Sequence, residues 1–359
     1  MAERDVRQLA GPAGDLLVGR RTVLGGVVAA AAAGVAARLG APAAIAAQDD
    51  VLPSWNDGAA RTAILDFLAA ATDEGNDGFV PVEDRIATFD QDGTLWVEHP
   101  IYGQAVFAID RVKALAPDHP EWATTAPYDA ILNDDQAAME AFTEQDWEQI
   151  IGATHAGMTV EEFNQVAADW AATAKDAHFD RLYTQLVYQP MLEVLNLLRE
   201  NDFRTYIVSG GGQGFIRSYA EDVYGIPPEQ VIGTTFETAY GYGDDGAPAL
   251  TKVAKLQLNN NNAGKPQDIN LFIGRRPAIA FGNSTGDQQM LEWANTGDRA
   301  HLAVLIYHDD AEREYAYGPA GGLPDTHVGT LTDALMTEAN DDGWAVVSMK
   351  NDWNRIFPE

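Results

Sequence analysis

The stretch Phe89-Asp-Gln-Asp-Gly-Thr-Leu95 decides the fold of this chain. It follows an apolar run, places the carboxylates Asp90 and Asp92 one residue apart, and then turns at Gly93. If the run is a strand, both acids stand at its carboxyl end, where open α/β sheets present their ligands. Because two buried carboxylates are costly without a partner, the stretch predicts a cation or a protonated acid beside them.

The same stretch also has an ordinary interpretation, because Asp-Gly is a common turn signal. Later segments favour a functional site instead. The first is an apolar run that ends in Ser209 and Gly210. Lys265 follows it, and a further apolar run then leads to Asn283 and Asp287. The pattern of an apolar run that ends in polar groups therefore recurs along the chain.

This ordered set of Asp-x-Asp-Gly-Thr, Ser-Gly, Lys and Gly-Asn-Ser-x-x-Asp resembles the haloacid dehalogenase superfamily over roughly residues 85–310. It looks most like the phosphatase branch that includes phosphoserine phosphatase. The resemblance implies a Mg²⁺-dependent phosphomonoesterase that acts on a small phosphorylated substrate through an aspartyl-phosphate intermediate. The alternatives are a dehalogenase or phosphonate-type hydrolase of the same superfamily, and a non-catalytic binding protein on the same fold.

The two acids of the first motif receive different roles from the resemblance. Asp90 is the expected nucleophile, although direct attack by water, with Asp90 as a plain metal ligand, stays open. Asp92 is the expected general acid and later the general base. Dehalogenases of the superfamily lack the second acid because a halide leaves without a proton. The presence of Asp92 therefore favours a phosphatase.

The implied magnesium site consists of Asp90, the main-chain carbonyl of Asp92, and Asp287. These groups supply the oxygen ligands that Mg²⁺ prefers. Asn283 stands where relatives often carry Asp, so we expect it to support the ligands without joining them. Its missing charge bears on metal affinity more than on metal identity.

The phosphate-binding groups implied by the resemblance are Ser209, Gly210 and Lys265. A strand-end hydroxyl, a free glycine amide and a compact ammonium suit phosphate oxygens. Lys252 and Lys255 are rival candidates for the lysine. Lys265 is preferred because it lies shortly before the last motif strand, as in the phosphoserine phosphatase branch.

Glu98 and His99 lie just beyond the first motif, where relatives place groups that contact the substrate and face the cap. His99 could instead be a structural histidine, which is the commoner role of a lone His. Gln91, between the two acids, is usually apolar in relatives, and we expect it at the mouth of the pocket.

Strands that alternate with helices predict a parallel, Rossmann-like sheet, and hence an α/β fold. Residues 100–180 instead show helical periodicity. We expect them to form a helical cap that is inserted into a hydrolase core of residues 47–99 and 181–359. Residues 231–238 and 249–253 are expected to pair as a hairpin.

Residues 1–46 carry the pattern of an export signal. Arg20 and Arg21 precede an apolar stretch rich in Ala and Gly, and the small-x-small sequence 44–46 follows. This pattern predicts a Tat-type signal peptide and a periplasmic or extracellular location reached through the Tat translocase. The apolar stretch is short for a stable membrane span, so we expect none after cleavage, and an uncleaved anchor is the alternative.

Charge and composition exclude several partner classes. With 23 basic and 54 acidic residues the net charge is −31, which disfavours nucleic acids and anionic membranes as partners. The chain contains no cysteine, so disulfides and thiolate metal sites are excluded. A high-salt habitat and an ordinary acidic exported protein are both consistent with this charge.

The export signal makes a direct prediction. Replacing Arg20 and Arg21 by Lys keeps the charge but removes the twin-Arg pair. We expect the variant to remain inside the cell, as measured by immunoblotting of cell fractions. Replacing Arg4 and Arg7 by Lys is the matched control and should leave export unchanged. Export of the twin-Lys variant at the normal rate would contradict the Tat assignment.

Overall fold

The computed structural model describes residues 51–243 and 245–359. The predicted signal peptide lies outside the described residues. Nine strands lie in the described part: β1 (Ile86–Phe89), β2 (Lys175–Asp176), β3 (Arg181–Leu182), β4 (Arg204–Gly212), β5 (Val231–Tyr242), β6 (Pro248–Leu258), β7 (Ile279–Gly282), β8 (Leu302–Tyr307) and β9 (Ala345–Ser348).

The same part of the chain contains thirteen α-helices. They are α1 (Ala59–Thr72), α2 (Gly103–Leu115), α3 (Tyr128–Leu132), α4 (Gln136–Glu140), α5 (Glu144–His155), α6 (Val160–Thr173), α7 (Gln189–Glu200), α8 (Gln213–Arg217), α9 (Ala220–Tyr224), α10 (Gly264–Phe272), α11 (Gln288–Ala294), α12 (Asp333–Asp341) and α13 (Met349–Asp352).

Seven strands form one central sheet in the order β6-β5-β4-β1-β7-β8-β9. In this sheet order, every pair of adjacent strands from β5 across to β9 is parallel. The edge strand β6 pairs with β5 as an antiparallel hairpin. The predicted α/β fold with a Rossmann-like sheet is therefore confirmed. The predicted hairpin is confirmed as well, with Thr238 opposite Lys252.

The central strands are apolar because helices cover both faces of the sheet. All four residues of β1 and all four of β7 are buried, as in parallel strands that are covered on both sides. Consecutive residues of a strand point to opposite faces and enter different apolar clusters. In β7, Phe281 belongs to one cluster and Ala280 to the other. Phe89 and Phe281 stack across β1 and β7 with ring centroids 4.5 Å apart.

The segment between β1 and β4 is largely helical, as the periodicity predicts. Helices α2 to α5 and the connection between α2 and α3 contain a separate apolar cluster that includes Val112, Trp122 and Ile150. A capping box formed by Thr159 and Glu162 opens α6. A segment with its own apolar cluster suits an inserted cap, and the cap boundaries at residues 100–180 stay a prediction.

Within residues 51–243 and 245–359, none of the helices combines the length and the apolar character that a membrane crossing requires.

Candidate active site

Three parallel strands bring predicted site residues to one edge of the sheet. β1 lies between β4 and β7, and the carboxyl ends of parallel neighbours meet at the same edge. Asp90 follows β1, Ser209 lies on β4, and Asp287 follows β7. All three line a cavity of about 1320 Å³, together with Lys265 and Asp92. Residues separated by almost 200 positions in sequence thus share one cavity.

Lys265 joins all three of these strands through its ammonium group. Its Nζ donates to Asp90 Oδ1 at 2.5 Å, to Asp287 Oδ1 at 2.6 Å and to the carbonyl oxygen of Val208 at 2.8 Å. These contacts use all three donors of an ammonium, and the side chain is 2% exposed. The residue enters from the start of α10, where any side chain at Gly264 would collide with the carbonyl oxygen of Asn259.

The rival lysines lie elsewhere. Lys252 Nζ is 4.3 Å from the centroid of the Phe163 ring, and the exposed Lys255 is ion-paired with Glu237. Neither lysine lines the cavity. The structure therefore places Lys265, and neither rival, beside the predicted nucleophile.

Asp92 is held by the turn that follows it. Trp96 Nε1 donates to Asp92 Oδ1 at 2.7 Å, and the Gly93 N–H donates to the carbonyl oxygen of Trp96 at 2.9 Å. Gly93 has a φ of +76°, which glycine adopts without strain. A side chain there would also collide with Asn283 and Glu98. Glycine thus allows the turn to pack against neighbouring groups.

Burial controls the protonation of the acids. It raises the pKa of Asp90, and the charge of Asp287 adds to the effect while Lys265 opposes it. Burial likewise raises the pKa of Asp92 to about 6, against the hydrogen bond from Trp96. Burial alone would lower the pKa of Lys265, but the charges of Asp287 and Asp90 outweigh it and raise the pKa. Lys265 therefore stays charged near neutral pH.

Asp287 is fixed by the loop that precedes it. Its Oδ2 accepts hydrogen bonds from the main-chain N–H groups of Asn283 and Ser284, both at 3.0 Å. The amide of Asn283 instead donates to Glu98 Oε1 at 2.7 Å and accepts from Thr94 Oγ1 at 3.2 Å. Asn283 thus supports Asp287 through its main chain, and its side chain ties this loop to the first motif.

Glu98 and His99 both line the cavity, but their contacts lie within the hydrolase core. Besides Asn283, the phenol of Tyr317 donates to Glu98 Oε1 at 2.9 Å, and Glu98 is 3% exposed. Burial raises its pKa well above the usual range, and the charges of Asp92 and Asp90 add to this effect. The His99 ring stacks on Tyr317 with centroids 4.6 Å apart.

The prediction for Gln91 was wrong. Its side chain is fully buried, and its Nε2 donates to the phenol of Tyr219 at 2.8 Å. Gln91 points away from the cavity because neighbouring side chains after a strand alternate in direction. The buried phenols of Tyr219 and Tyr224 supply the polar partners that an apolar residue would not need.

Ser209 and Gly210 lie at an irregularity in β4. The pairing with β5 shifts register between Ser209 and Gly212, and such bulges redirect main-chain groups near sites. Ser209 Oγ accepts from the Gly211 N–H at 3.0 Å, and Gln104 Oε1 accepts from the Gly212 N–H at 2.6 Å. Ser209, Gly210 and Gly211 line the cavity, so their amides and hydroxyl are close to any bound ligand.

The comparison with known families decides the identity at this point. The model of the haloacid dehalogenase-like hydrolases matches residues 87–292, which include Asp90, Ser209, Lys265 and Asp287. The chain belongs to this family of hydrolases. The family resemblance expected from the motifs is therefore confirmed, and the protein is a hydrolase.

Among solved structures, the hydrolase is similar to a protein of unknown function from Anaerococcus prevotii, with 16% identity, 69% of this chain and 85% of that chain covered, and a TM-score of 0.47. A protein of unknown function from Bordetella pertussis has 16% identity, coverages of 73% and 97%, and a TM-score of 0.44. A phosphoserine phosphohydrolase-like protein from Francisella tularensis has 18% identity, coverages of 62% and 88%, and a TM-score of 0.35. No curated protein sequence matches the chain.

Several groups in this hydrolase site have no signal in the sequence. Tyr102, Gln104 and residues 326–328 line the cavity but lie outside all the motifs. The buried His308 is also new: its Nε2 lies 2.7 Å from the carbonyl oxygen of Gly93, and its Nδ1 lies 3.1 Å from Glu314 Oε2. Only tertiary contacts could reveal these residues, because each one acts across a large sequence separation.

The buried His308 supports the turn of the first motif. A carbonyl oxygen can only accept, so His308 Nε2 must carry the proton and donate it to Gly93. Glu314 orients the ring from the other side, and Glu314 Oε1 itself accepts from the phenol of Tyr188 at 3.2 Å. The turn that carries Asp92 is therefore held both by its own residues and by a histidine more than 200 positions away.

The described residues contain no group of three or more His, Cys, Asp or Glu side chains arranged to hold a metal ion. The predicted magnesium ligands are only two carboxylates, those of Asp90 and Asp287, with the main-chain carbonyl of Asp92. A site of this composition relies on oxygen atoms beyond the acidic side chains, such as main-chain carbonyls, water and substrate.

The raised pKa of Asp92 predicts a change of stability with pH. In the metal-free protein the folded state keeps the Asp92 proton up to about pH 6, whereas the unfolded chain releases it near its ordinary pKa. The folded state thus binds more protons, and wild type loses stability as pH rises through this window. Relative to Asp92→Asn, we expect a loss of about 1 kcal/mol between pH 5 and pH 7, since water in the cavity screens part of the shift.

Urea unfolding of both proteins in EDTA at the two pH values measures this difference. Because the two proteins share every other titrating group, subtraction removes the remaining pH dependence. The prediction fails if the difference in unfolding free energy between wild type and Asp92→Asn stays constant, or shifts in favour of wild type as pH rises. Asp92 would then titrate near its ordinary pKa in the folded protein.

Proposed function

We propose that this hydrolase is a Mg²⁺-dependent phosphomonoesterase that forms an aspartyl-phosphate on Asp90. The observation that carries the proposal is the ammonium of Lys265, which bridges Asp90 and Asp287 inside a cavity also lined by Ser209. A fixed positive charge beside a carboxylate nucleophile suits a reaction that brings a phosphate dianion to that carboxylate.

Asp90 is the proposed nucleophile. Lys265 holds its Oδ1, which leaves Oδ2 as the oxygen to attack phosphorus. The new bond joins Oδ2 to phosphorus as the bond from phosphorus to the alcohol oxygen breaks. Water then attacks the aspartyl-phosphate, releases inorganic phosphate and regenerates the carboxylate.

Asp92 is the proposed general acid and base. With a pKa raised to about 6, its carboxyl group can both hold and release a proton near neutral pH. The hydrogen bond from Trp96 Nε1 fixes its orientation. Asp92 would give its proton to the departing alkoxide and then take one from the water that hydrolyses the intermediate.

Ser209 and Gly210 are the proposed phosphate-binding groups on β4. The register shift that follows Ser209 turns this part of the strand away from regular pairing. The Ser209 hydroxyl and the Gly210 amide can then donate to phosphoryl oxygens. Gln104 and Asn260 fix the segment through the Gly212 N–H and the Ser209 carbonyl, at 2.6 and 2.8 Å.

The residues present fit Mg²⁺ on grounds of charge. The carboxylates of Asp90 and Asp287 both line the cavity. Burial and the charge of Asp287 raise the pKa of Asp90, so a divalent cation beside the pair would stabilise the charged form of both acids. Asp90, Asp287 and the Asp92 carbonyl would hold the ion. When bound, Mg²⁺ would offset the negative charge of the transferring phosphoryl group.

The composition of the site distinguishes this function from its alternatives. A dehalogenase expels a halide, which needs no proton, whereas Asp92, with a pKa raised to about 6, can supply a proton as a general acid. A non-catalytic binding protein would have no need for a lysine that orients a carboxylate nucleophile. These observations favour a phosphatase of the type that includes phosphoserine phosphatase.

The cap and the cellular location belong to the same proposal. Helices α2 and α5 line the cavity through Gln104, Trp147 and Ile151. A helical cap at residues 100–180 would close over the substrate and exclude bulk water. The Tat-type signal in residues 1–46 would place the reaction outside the cytoplasm.

The proposal predicts that Asp90→Asn abolishes turnover without loss of folding. The substitution keeps the volume of the side chain but removes the nucleophilic oxygen. We expect p-nitrophenyl phosphate hydrolysis with Mg²⁺ to fall by at least about 10³-fold, since the covalent step is lost. Asp268→Asn is the matched control, because Asp268 is 6% exposed but lies outside the cavity lining.

Wild-type activity in a folded Asp90→Asn protein, with mass spectrometry excluding deamidation, would reject the covalent mechanism. Equal losses in Asp90→Asn and Asp268→Asn would show a general effect of changing a buried acid.

The role of Asp92 predicts a dependence on the leaving group. An alkoxide needs a proton, whereas p-nitrophenolate is already stabilised. Asp92→Asn should therefore slow an alkyl phosphate by about 10²–10⁴-fold and p-nitrophenyl phosphate by much less. Single-turnover rates compare the first chemical step alone, since Asp92 also serves the second step. Equal losses for both substrates would indicate that Asp92 acts through the metal or the fold.

A further inference from the structure

The cavity has a second, apolar part beyond the catalytic groups. This part of its lining comes from α2, α4, α5 and the residue pair that follows α4. A phosphate needs none of these groups, so they are available to the remainder of the substrate. The apolar side chains are Ala105, Ala108, Ile109, Met139, Ala141, Phe142, Trp147 and Ile151, and Gln104, Gln136 and Glu140 lie on the same elements.

The side chains of this apolar surface are held in place by the apolar cluster behind them. Ile109, Met139, Phe142 and Trp147 pack on the apolar cluster of the helical segment and are only partly buried by it. Phe142 and Trp147 meet edge to face with ring centroids 5.5 Å apart. Because their other sides line the cavity, an apolar ligand that covers them would gain free energy by removing their surface from water.

The charges of the cavity restrict the substrate further. Among the described residues that line it, Lys265 is the one permanent cation, and Asp90, Asp287 and Val208 already use its three donors. Apart from His99 and His327, the other side chains of the lining that can carry a charge near neutral pH are acids, such as Glu140. A carboxylate or a second phosphate on the substrate would therefore meet acids without a matching cation.

We propose that the substrate is a phosphate monoester of an apolar alcohol, with a chain of several carbon atoms. This inference rests on the proposed phosphatase function and names the class of its leaving group. The phosphate lies at Lys265 and Ser209, and the chain lies along Met139, Phe142 and Trp147. The volume of about 1320 Å³ exceeds the roughly 300–1,000 Å³ of ordinary ligand pockets, so it can hold such a chain.

A series of n-alkyl phosphates tests this substrate class. Ethyl, butyl and octyl phosphate share one reacting group and differ only in methylenes, and phosphate release gives kcat/KM with Mg²⁺. A fully buried methylene is worth about fourfold. We therefore expect octyl phosphate to exceed ethyl phosphate by at least about 30-fold, with part of the chain left in water. O-phosphoserine and phosphocholine, measured alongside, should fall below butyl phosphate.

A substitution in the cavity lining tests where the alkyl chain of the substrate binds. Trp147→Ala should lower the octyl-to-ethyl ratio of kcat/KM by about 10-fold, because it removes a large contact surface for the chain. Trp293→Ala is the matched control: Trp293 is also partly buried but lies outside the cavity lining, so the ratio should not change. If Trp147→Ala fails to fold, Met139→Ala replaces it with the same expected direction.

The outcomes separate this inference from the function on which it rests. Absence of hydrolysis for every ester, including p-nitrophenyl phosphate, would overturn the phosphatase function and the substrate class together. Hydrolysis that does not depend on chain length would overturn the substrate class alone. Preference for phosphoserine or phosphocholine would also overturn it, because charged groups of the cavity would then select the substrate.

Discussion

The ammonium of Lys265 between Asp90 and Asp287 is the interaction on which the site depends. A charge with 2% exposure is stable only if carboxylates and a carbonyl replace the water it has lost. Those partners come from three strands, β1, β4 and β7, so this set of contacts forms only in the assembled sheet. Removing both acids would leave a buried charge uncompensated, which is strongly destabilising in proteins. Fold and site are therefore coupled through one group.

The rest of the site extends this arrangement outward in layers of hydrogen bonds. Asn283 ties the loop of Asp287 to Glu98, and His308 ties the turn after Asp92 to Glu314. Such supporting bonds hold reacting groups in place at no cost during the reaction. They also explain why the first motif can keep acidic groups in a buried position without relaxing toward water.

The acids share one environment but differ in character, as paired catalytic acids require. Asp90 is tethered to a cation, whereas Asp92 receives only an indole N–H and has a pKa raised to about 6. Burial raises the pKa of both acids; the charge of Lys265 opposes this effect at Asp90, and the hydrogen bond from Trp96 opposes it at Asp92. The two ends of the cavity also differ. In the proposed complex, polar groups contact the phosphate, and apolar side chains of the helices contact the rest of the substrate.

The sequence by itself determined the local features of this protein. Apolar runs that end in acids or hydroxyls marked β1, β4 and β7 and identified Asp90, Ser209 and Asp287, because strand periodicity and turn chemistry act over a few residues. Only the tertiary structure decided which lysine reaches Asp90, that Gln91 is buried against Tyr219, and that His308 and the 326–328 loop join the site. These contacts depend on the order of strands and the packing of helices, which are long-range properties that no local pattern encodes.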